Sequence, residues 1–258
     1  MCDVCGCGDP EKAPPGRLAT ASHLSPTGGR LTPMGHPAMP IDLHVKILSK
    51  NDTQALHNRQ HFARDGVFAV NLMGSPGSGK TALLEATARA LAGRRRVVAT
   101  SGDLATDHDG ARLRAAGIPA TTITTGQGCH LDAGLVHDAA HALPLSGADY
   151  FFIENVGNLV CPAIYDLGQS VNVVALSVTE GPDKPEKYPV MFKAADLVVL
   201  TKVDLLPYLP GTSIAAITES LARVMPEPTV LPVSTVSGTG VGEWLEWLEA
   251  RRARTLQV

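Results

Sequence analysis

Aromatic side chains are scarce in this chain. Phe, Trp and Tyr make up 4% of its 258 residues, too few for the stacking platform that single-stranded nucleic-acid surfaces use. An excess of one charge is lacking too. Lys and Arg total 22 against 25 Asp and Glu, for a formal net charge of −3. No strong field toward nucleic acid or an anionic membrane is expected. No apolar run is long enough to span a bilayer, and the first residues, Met-Cys-Asp-Val-Cys-Gly-Cys, form no apolar signal segment. The expected compartment is the cytoplasm. Cysteine is sparse and odd in number, with three of the five in the first seven residues. In a reducing compartment this argues for metal or redox chemistry rather than a disulfide scaffold.

What is present suits one sizeable domain with an extension, since 44% of the residues are hydrophobic. Residues 1–40 stand apart. They hold seven prolines and six glycines without apolar periodicity, and read as a flexible tail. From Ile41 to 258 the character is globular. Asn51 or Asp52 can cap a helix running to about Arg64, with Gly66 ending it. Apolar strand patterns at 67–73, 96–101, 120–124, 150–156, 172–178, 197–201 and 229–233 then alternate with helical ones at 81–92, 108–116, 131–142, 186–194, 212–224 and 240–252. Near-continuous apolar strands joined by helices predict an α/β fold: a mostly parallel sheet with helices on both faces.

Residues 74–81 read Gly-Ser-Pro-Gly-Ser-Gly-Lys-Thr, matching the phosphate-holding loop G-x-x-x-x-G-K-[ST] between a strand and a helix. Gly74, Gly77 and Gly79 let the backbone curl. The N–H groups of Ser75, Ser78 and their neighbours can then converge on an anion at the helix N-terminus. Lys80 can reach the β- and γ-phosphates, and the Thr81 hydroxyl can bind magnesium. The loop implies a P-loop NTPase. By itself it does not name the nucleotide.

Thr201-Lys202-Val203-Asp204 ends an apolar strand and resembles the Asn-Lys-x-Asp guanine motif of GTPases. A carboxylate at Asp204 can accept from guanine N1–H and the 2-amino group, donors that adenine lacks as a pair. The stem of Lys202 can lie along the base, and the amides of Ser234 and Thr235 can meet guanine O6. Thr201 stands where Asn is usual, which puts one bracing hydrogen bond in question. A charged strand-to-helix turn is the plain alternative. For magnesium, Asp103 ends the second strand, Asp107 follows in a polar loop, and Glu154 ends the fourth strand. Gly157 can offer its N–H to a γ-phosphate. Lys80, Asp103 and Glu154 are the expected catalytic residues. No glutamine stands out to position water, so slow hydrolysis is expected.

Cys2, Cys5 and Cys7 place three thiols within six residues, a spacing that lets sulfurs converge on a zinc, nickel or copper ion. Cys129, His130 and Cys161 lie in two loops at the sheet edge that carries the phosphates, a second candidate site for a borderline divalent metal. A small buried hydrophobe is the ordinary reading of a lone Cys161. The remaining histidines, among them His57, His61, His137 and His141, are scattered and suggest no role.

Taken together, Cys2-x-x-Cys5-Gly6-Cys7, the phosphate loop, Gly126-Gln-Gly-Cys-His-Leu-Asp, Glu154-Asn-Val-Gly-Asn-Leu-Val-Cys-Pro and Thr179-Glu-Gly-Pro-Asp-Lys-Pro-Glu-Lys-Tyr-Pro resemble the HypB family of hydrogenase-maturation GTPases. These belong with the metallochaperone GTPases that include UreG. The resemblance implies GTP hydrolysis with magnesium, GTP-dependent homodimerisation, nickel at the N-terminal cysteines, and zinc or nickel at Cys129, His130 and Cys161. It implies Asp183, Lys184 and Lys187 near the nucleotide or the dimer interface. The implied partners are a HypA-type accessory chaperone, the hydrogenase large subunit and the nickel chaperone SlyD, with no nucleic acid and no membrane. A small-molecule P-loop kinase and a passive metal buffer with a structural nucleotide site remain the alternatives.

Overall fold

Alternation along the strands sorts the core into two faces. Phe68, Val70 and Leu72 of β1 (Phe68–Met73) join one apolar cluster, while Ala69 joins another, as a strand's period of two requires. The computed structural model describes residues 41–126 and 128–256, so the expected tail, with Cys2, Cys5 and Cys7, lies outside the described residues. Seven strands form one sheet in the order β3-β2-β4-β1-β5-β6-β7, and every described pairing is parallel. The other strands are β2 (Val97–Asp103), β3 (Ala120–Thr124), β4 (Tyr150–Glu154), β5 (Val171–Ser177), β6 (Leu197–Thr201) and β7 (Val230–Pro232).

On one face, α2 (Lys80–Leu91), α3 (His108–Ala115) and α8 (Val241–Thr255) cover the sheet through Leu83, Leu84, Leu113, Trp244 and Leu248. On the other, α1 (Ile41–Arg64) and α4 (Ala133–His141) pack Phe62, Val136 and Ala140 against Phe151 and Ile153. Near β5 and β6, α6 (Pro189–Lys193) and α7 (Ile214–Val224) bury Met191, Phe192, Ile217 and Leu221. Strands buried on both sides explain their near-continuous apolar runs.

Two elements differ from the sequence expectation. The first helix begins at Ile41, so Asn51 is not a cap. It lies mid-helix as a cross-brace: its Nδ2 donates to Asp166 O at 2.8 Å, and its Oδ1 accepts from Ala133 N at 2.9 Å. The expected helix over 186–194 is two short ones, α5 (Lys184–Lys187) and α6, broken at Tyr188, where φ is −130° and ψ 55°. Pro189 is the cause, since the residue before a proline is pushed out of the helical region.

Candidate functional site

The phosphate loop joins β1 to α2 at the carboxyl edge of the sheet, where ligands bind in open α/β sheets. Gly74 has φ +148°, and a Cβ there would lie 2.4 Å from Ala175 O. No other residue fits that approach. Gly79, φ +94°, sits at the N-cap of α2. Lys80 folds back over the loop, with Nζ 3.3 Å from Gly74 O and 3.2 Å from Ser75 O. Burial lowers its pKa against the raising influence of Glu154, Asp109 and Glu180. A cavity of about 420 Å³ opens here, lined by Lys80, Thr81, Asp103, Asp109, Glu154 and Gly157 among others.

At its floor, the Thr81 hydroxyl faces two carboxylates: Glu154 Oε1 at 2.7 Å and Asp109 Oδ1 at 2.9 Å. One hydroxyl proton cannot satisfy both. Glu154 Oε2 is shut from solvent with no hydrogen-bond partner among the described residues. Burial pushes the Glu154 carboxyl up to about 7, even with Lys80 and Thr81 pulling it down. Two carboxylates crowding one hydroxyl, the buried Glu154 and the partly exposed Asp109, fit a magnesium ion, which takes oxygen ligands of this kind.

Asp103 lines the same cavity, with its carboxylate engaged by Thr106 Oγ1 at 2.6 Å and Ala105 N at 3.2 Å. These bonds hold it below the usual carboxylate range, the Thr106 hydroxyl foremost. Asp107 is not brought to the phosphate loop. Its exposed carboxylate accepts from Thr122 Oγ1 and Arg114 Nη2, which keep its pKa low. Asp109, two residues on in α3, takes the place beside Thr81. The sequence offered three nearby aspartates, and only the helix register chooses among them. Gly157 passes so close to Pro76 that a Cβ would lie 2.8 Å from its Cγ and 2.9 Å from its N.

On the far side of the loop lie the residues read as base-binding. Thr201 Oγ1 donates to Ser78 O, and Lys202 Nζ donates to Gly77 O at 2.7 Å. The brace that an Asn would be expected to make is therefore supplied by a threonine hydroxyl. Lys202 adopts φ +60°, the one non-glycine residue with positive φ among the described residues. Asp204 Oδ1 is buried without a hydrogen-bond partner, as a carboxylate awaiting a donor would be. Ser234 N–H is spent on Thr239 O at 2.9 Å, so of the two amides expected at guanine O6, Thr235 is the candidate. Glu180, missed in the sequence, reaches the loop: its Oε2 accepts from Ser75 Oγ, and Lys184 lies 3.5 Å from it. Asp183 and Lys187 pair with each other on the surface.

Cys129, His130 and Cys161 do come together. Their ligand atoms all lie within 4.8 Å of one another. The two sulfurs are 2.9 Å apart, and Cys129 Sγ is 3.7 Å from His130 Nδ1. The His130 ring stacks on Tyr165 at 3.8 Å, and burial lowers its pKa, favouring the neutral form that binds metals. Two hydrogen-bonded links tie this cluster to the nucleotide edge. Asn155, next to Glu154, accepts from Leu131 N at 3.3 Å. Asn158 donates to Cys129 O at 3.2 Å and its backbone bridges Gly74. Neither asparagine carried a signal in the sequence beyond its place in the Glu154–Pro162 segment.

With this geometry in view, the likeness to known proteins is specific. The nucleotide-binding domain of the CobW/HypB/UreG family matches residues 68–232. Hydrogenase maturation factor HypB of Azotobacter vinelandii is 51% identical over 217 residues, covering 84% of this chain and 71% of that one. The chain belongs to the HypB family. HypB of Escherichia coli (strain K12) is 48% identical over 212 residues, 82% of this chain and 73% of that one. Among solved structures, HypB from Helicobacter pylori in complex with nickel superposes with a TM-score of 0.76 at 36% identity, over 80% of this chain and 97% of that one. HypB from Archaeoglobus fulgidus gives 0.74 at 37%, over 80% and 100%. The P-loop nucleotide-binding fold of the HypB family is therefore that of this chain.

Proposed function

We propose that this HypB-family chain is a GTP-hydrolysing nickel metallochaperone acting in [NiFe]-hydrogenase maturation. The observation that carries the reading is the shared loop. Glu154, Gly157, Asn158 and Cys161 lie within eight residues, so one segment touches both the phosphate cleft and the Cys129–His130–Cys161 cluster. Two thiolates and an imidazole suit nickel, with zinc as the competing ion. Guanine rather than adenine is favoured by the unpartnered Asp204 oxygen.

In this reading Thr81, Glu154 and Asp109 hold magnesium, whose charge offsets that of the transferring phosphoryl group. Lys80 leaves the carbonyls of Gly74 and Ser75 for the β/γ-phosphates. Asp103 and Gly157 close on the γ-phosphate side, and Gly157 carries Asn158 and Cys161 with it. Hydrolysis frees the segment and alters metal affinity. Linkage makes the effect reciprocal: metal must alter nucleotide affinity by the same factor. Val160 and Ile164, 46% and 47% exposed beside Cys161, support a second copy docking over this loop when GTP is bound. A HypA-type chaperone, SlyD and the hydrogenase large subunit complete the proposed partners.

The test measures nickel affinity of the full chain carrying Cys2→Ser, Cys5→Ser and Cys7→Ser, with GDP and with a non-hydrolysable GTP analogue. A difference supports the coupled switch, and equal affinities overturn it. Tighter binding of ATP than GTP would instead sink the GTPase reading.

A further inference from the structure

Histidines that are scattered in the sequence are gathered by the fold. His57 and His61 lie one turn apart on α1, His137 and His141 one turn apart on α4, and these two helices pack together. Ring centroids are 4.4 Å apart for His137 and His141, 5.2 Å for His61 and His141, and 5.2 Å for His57 and His137. The ligand nitrogens of His61, His137 and His141 all lie within 4.8 Å of one another. We propose that His61, His137 and His141 form a second site for a borderline divalent cation, nickel or zinc, at the rim of the α1–α4 interface, with His57 at its open edge.

Tautomers support this. The amide nitrogen of the buried Asn58 donates to Ala133 O at 2.8 Å and Leu167 O at 3.1 Å. Its oxygen must therefore be the atom 3.2 Å from His137 Nδ1. That nitrogen carries the proton, and Nε2 keeps the lone pair a metal needs. On α1, His61 Nε2 lies 3.3 Å from Asp65 Oδ2, and Asp65 is itself anchored by Arg64 Nε at 2.9 Å. This is the carboxylate–histidine arrangement that orients and strengthens an imidazole ligand, leaving Nδ1 for the ion.

Position supports it as well. His61 lies in the last turn of α1, and His141 is the last residue of α4, so both helices present their partially negative ends to the site. Packing alone does not require imidazoles here, since Phe62, Val136 and Ala140 already fill the apolar contact. Imidazole pairs one helical turn apart are a known metal-binding spacing, and an all-nitrogen set suits nickel, zinc or copper over magnesium. The site is separate from the Cys129–His130–Cys161 cluster. His130 precedes the N-cap of α4 and His141 ends that helix, putting about 12 Å of helix between them at ~1.5 Å per residue.

The experiment uses the untagged full chain with Cys2, Cys5, Cys7, Cys129 and Cys161 all changed to Ser. It is titrated separately with nickel sulfate and zinc sulfate against a chromophoric chelator. One equivalent of either ion is expected to bind, with an absorption-edge spectrum showing nitrogen and oxygen ligands only. His141→Gln should abolish this equivalent. Asp65→Asn should weaken it about 10- to 100-fold, with GDP affinity unchanged in both variants. Should the all-serine protein fail to fold, the unmodified full chain serves in its place, and His141→Gln should then lower its stoichiometry by one ion. Binding of neither ion, or binding that His141→Gln and His137→Gln leave intact, overturns the site.

Discussion

Asn158 Nδ2 donates a hydrogen bond of 3.2 Å to the carbonyl oxygen of Cys129, while the backbone of Asn158 pairs with Gly74 at the start of the phosphate loop. One residue thus touches the first glycine of the phosphate loop and the first thiol residue of the Cys129–His130–Cys161 cluster. If nucleotide state is read at the metal, this contact is where the two sites share a rigid part. Asn158→Ala should leave GDP binding and nickel binding each present. It should shrink the ratio of nickel affinities between the GTP-analogue and GDP states, where a coupling of ordinary size is about 5- to 150-fold. Calorimetric titrations in the two nucleotide states read that ratio; a ratio unchanged from the parent would show the coupling runs elsewhere.

Glu154 predicts an unusual pH dependence. Its carboxyl is pushed up to about 7 in the folded chain by burial, against about 4.3 in an unfolded peptide. The folded state therefore holds a proton that the unfolded state gives up across this window. Stability without nucleotide and magnesium should fall as pH rises from about 4.5 to 7, by up to about 3 kcal/mol. Glu154→Gln should flatten that slope, and magnesium with GDP should do the same to the parent. Denaturant unfolding at pH 5, 6, 7 and 8 checks it.

Lys80→Ala removes the loop lysine that the proposed reading assigns to the β/γ-phosphates. Turnover of GTP should drop about 10²- to 10³-fold, the usual cost of losing one such stabilising donor. The fold should survive, because Lys80 bonds only to carbonyls of its own loop. Single-turnover phosphate release, with circular dichroism as the fold control, settles this.

Thr201→Val keeps the side-chain shape but removes the donor to Ser78 O. A buried carbonyl left without that bond should cost about 1–3 kcal/mol and loosen the loop for guanine nucleotides. Thr201→Asn should retain affinity if an amide can make the same brace. Fluorescent GDP-analogue binding distinguishes the two substitutions.

Gly157→Ala would drive a methyl into Pro76. Overpacking of this kind costs about 1–3 kcal/mol, and it should displace Asn158 and Cys161 as well. The variant should lose both thermal stability and nickel affinity in the full chain lacking the three N-terminal cysteines, whereas Gly126→Ala, where a Cβ would meet nothing within 4 Å, should show backbone strain without a steric clash.

The phosphate loop, the Lys202–Asp204 turn and the Cys129–His130 and Cys161 segments were legible because their chemistry is local. Spacing along a strand–turn–helix dictates where backbone amides and one lysine point, and apolar alternation names the strands that carry them. Other features were silent for an equally physical reason. Asp103, Asp107 and Asp109 differ little as a string. It is the packing of α3 beside β3 that gives Asp107 to Arg114 and Thr122 and gives Asp109 to Thr81. Asn51 has the residue type of a helix cap, but the helix running on from Ile41 makes it a brace between α4 and the Asp166 loop.

What the amino-acid string determined by itself was the parallel α/β architecture, the nucleotide loop and the kinds of metal ligand available. What only the tertiary structure decided was which distant side chains meet. His61 and His141 are 80 positions apart, and no local pattern relates them. They become neighbours because α1 and α4 bury their apolar stripes against the same face of the sheet, and that burial leaves their last turns side by side.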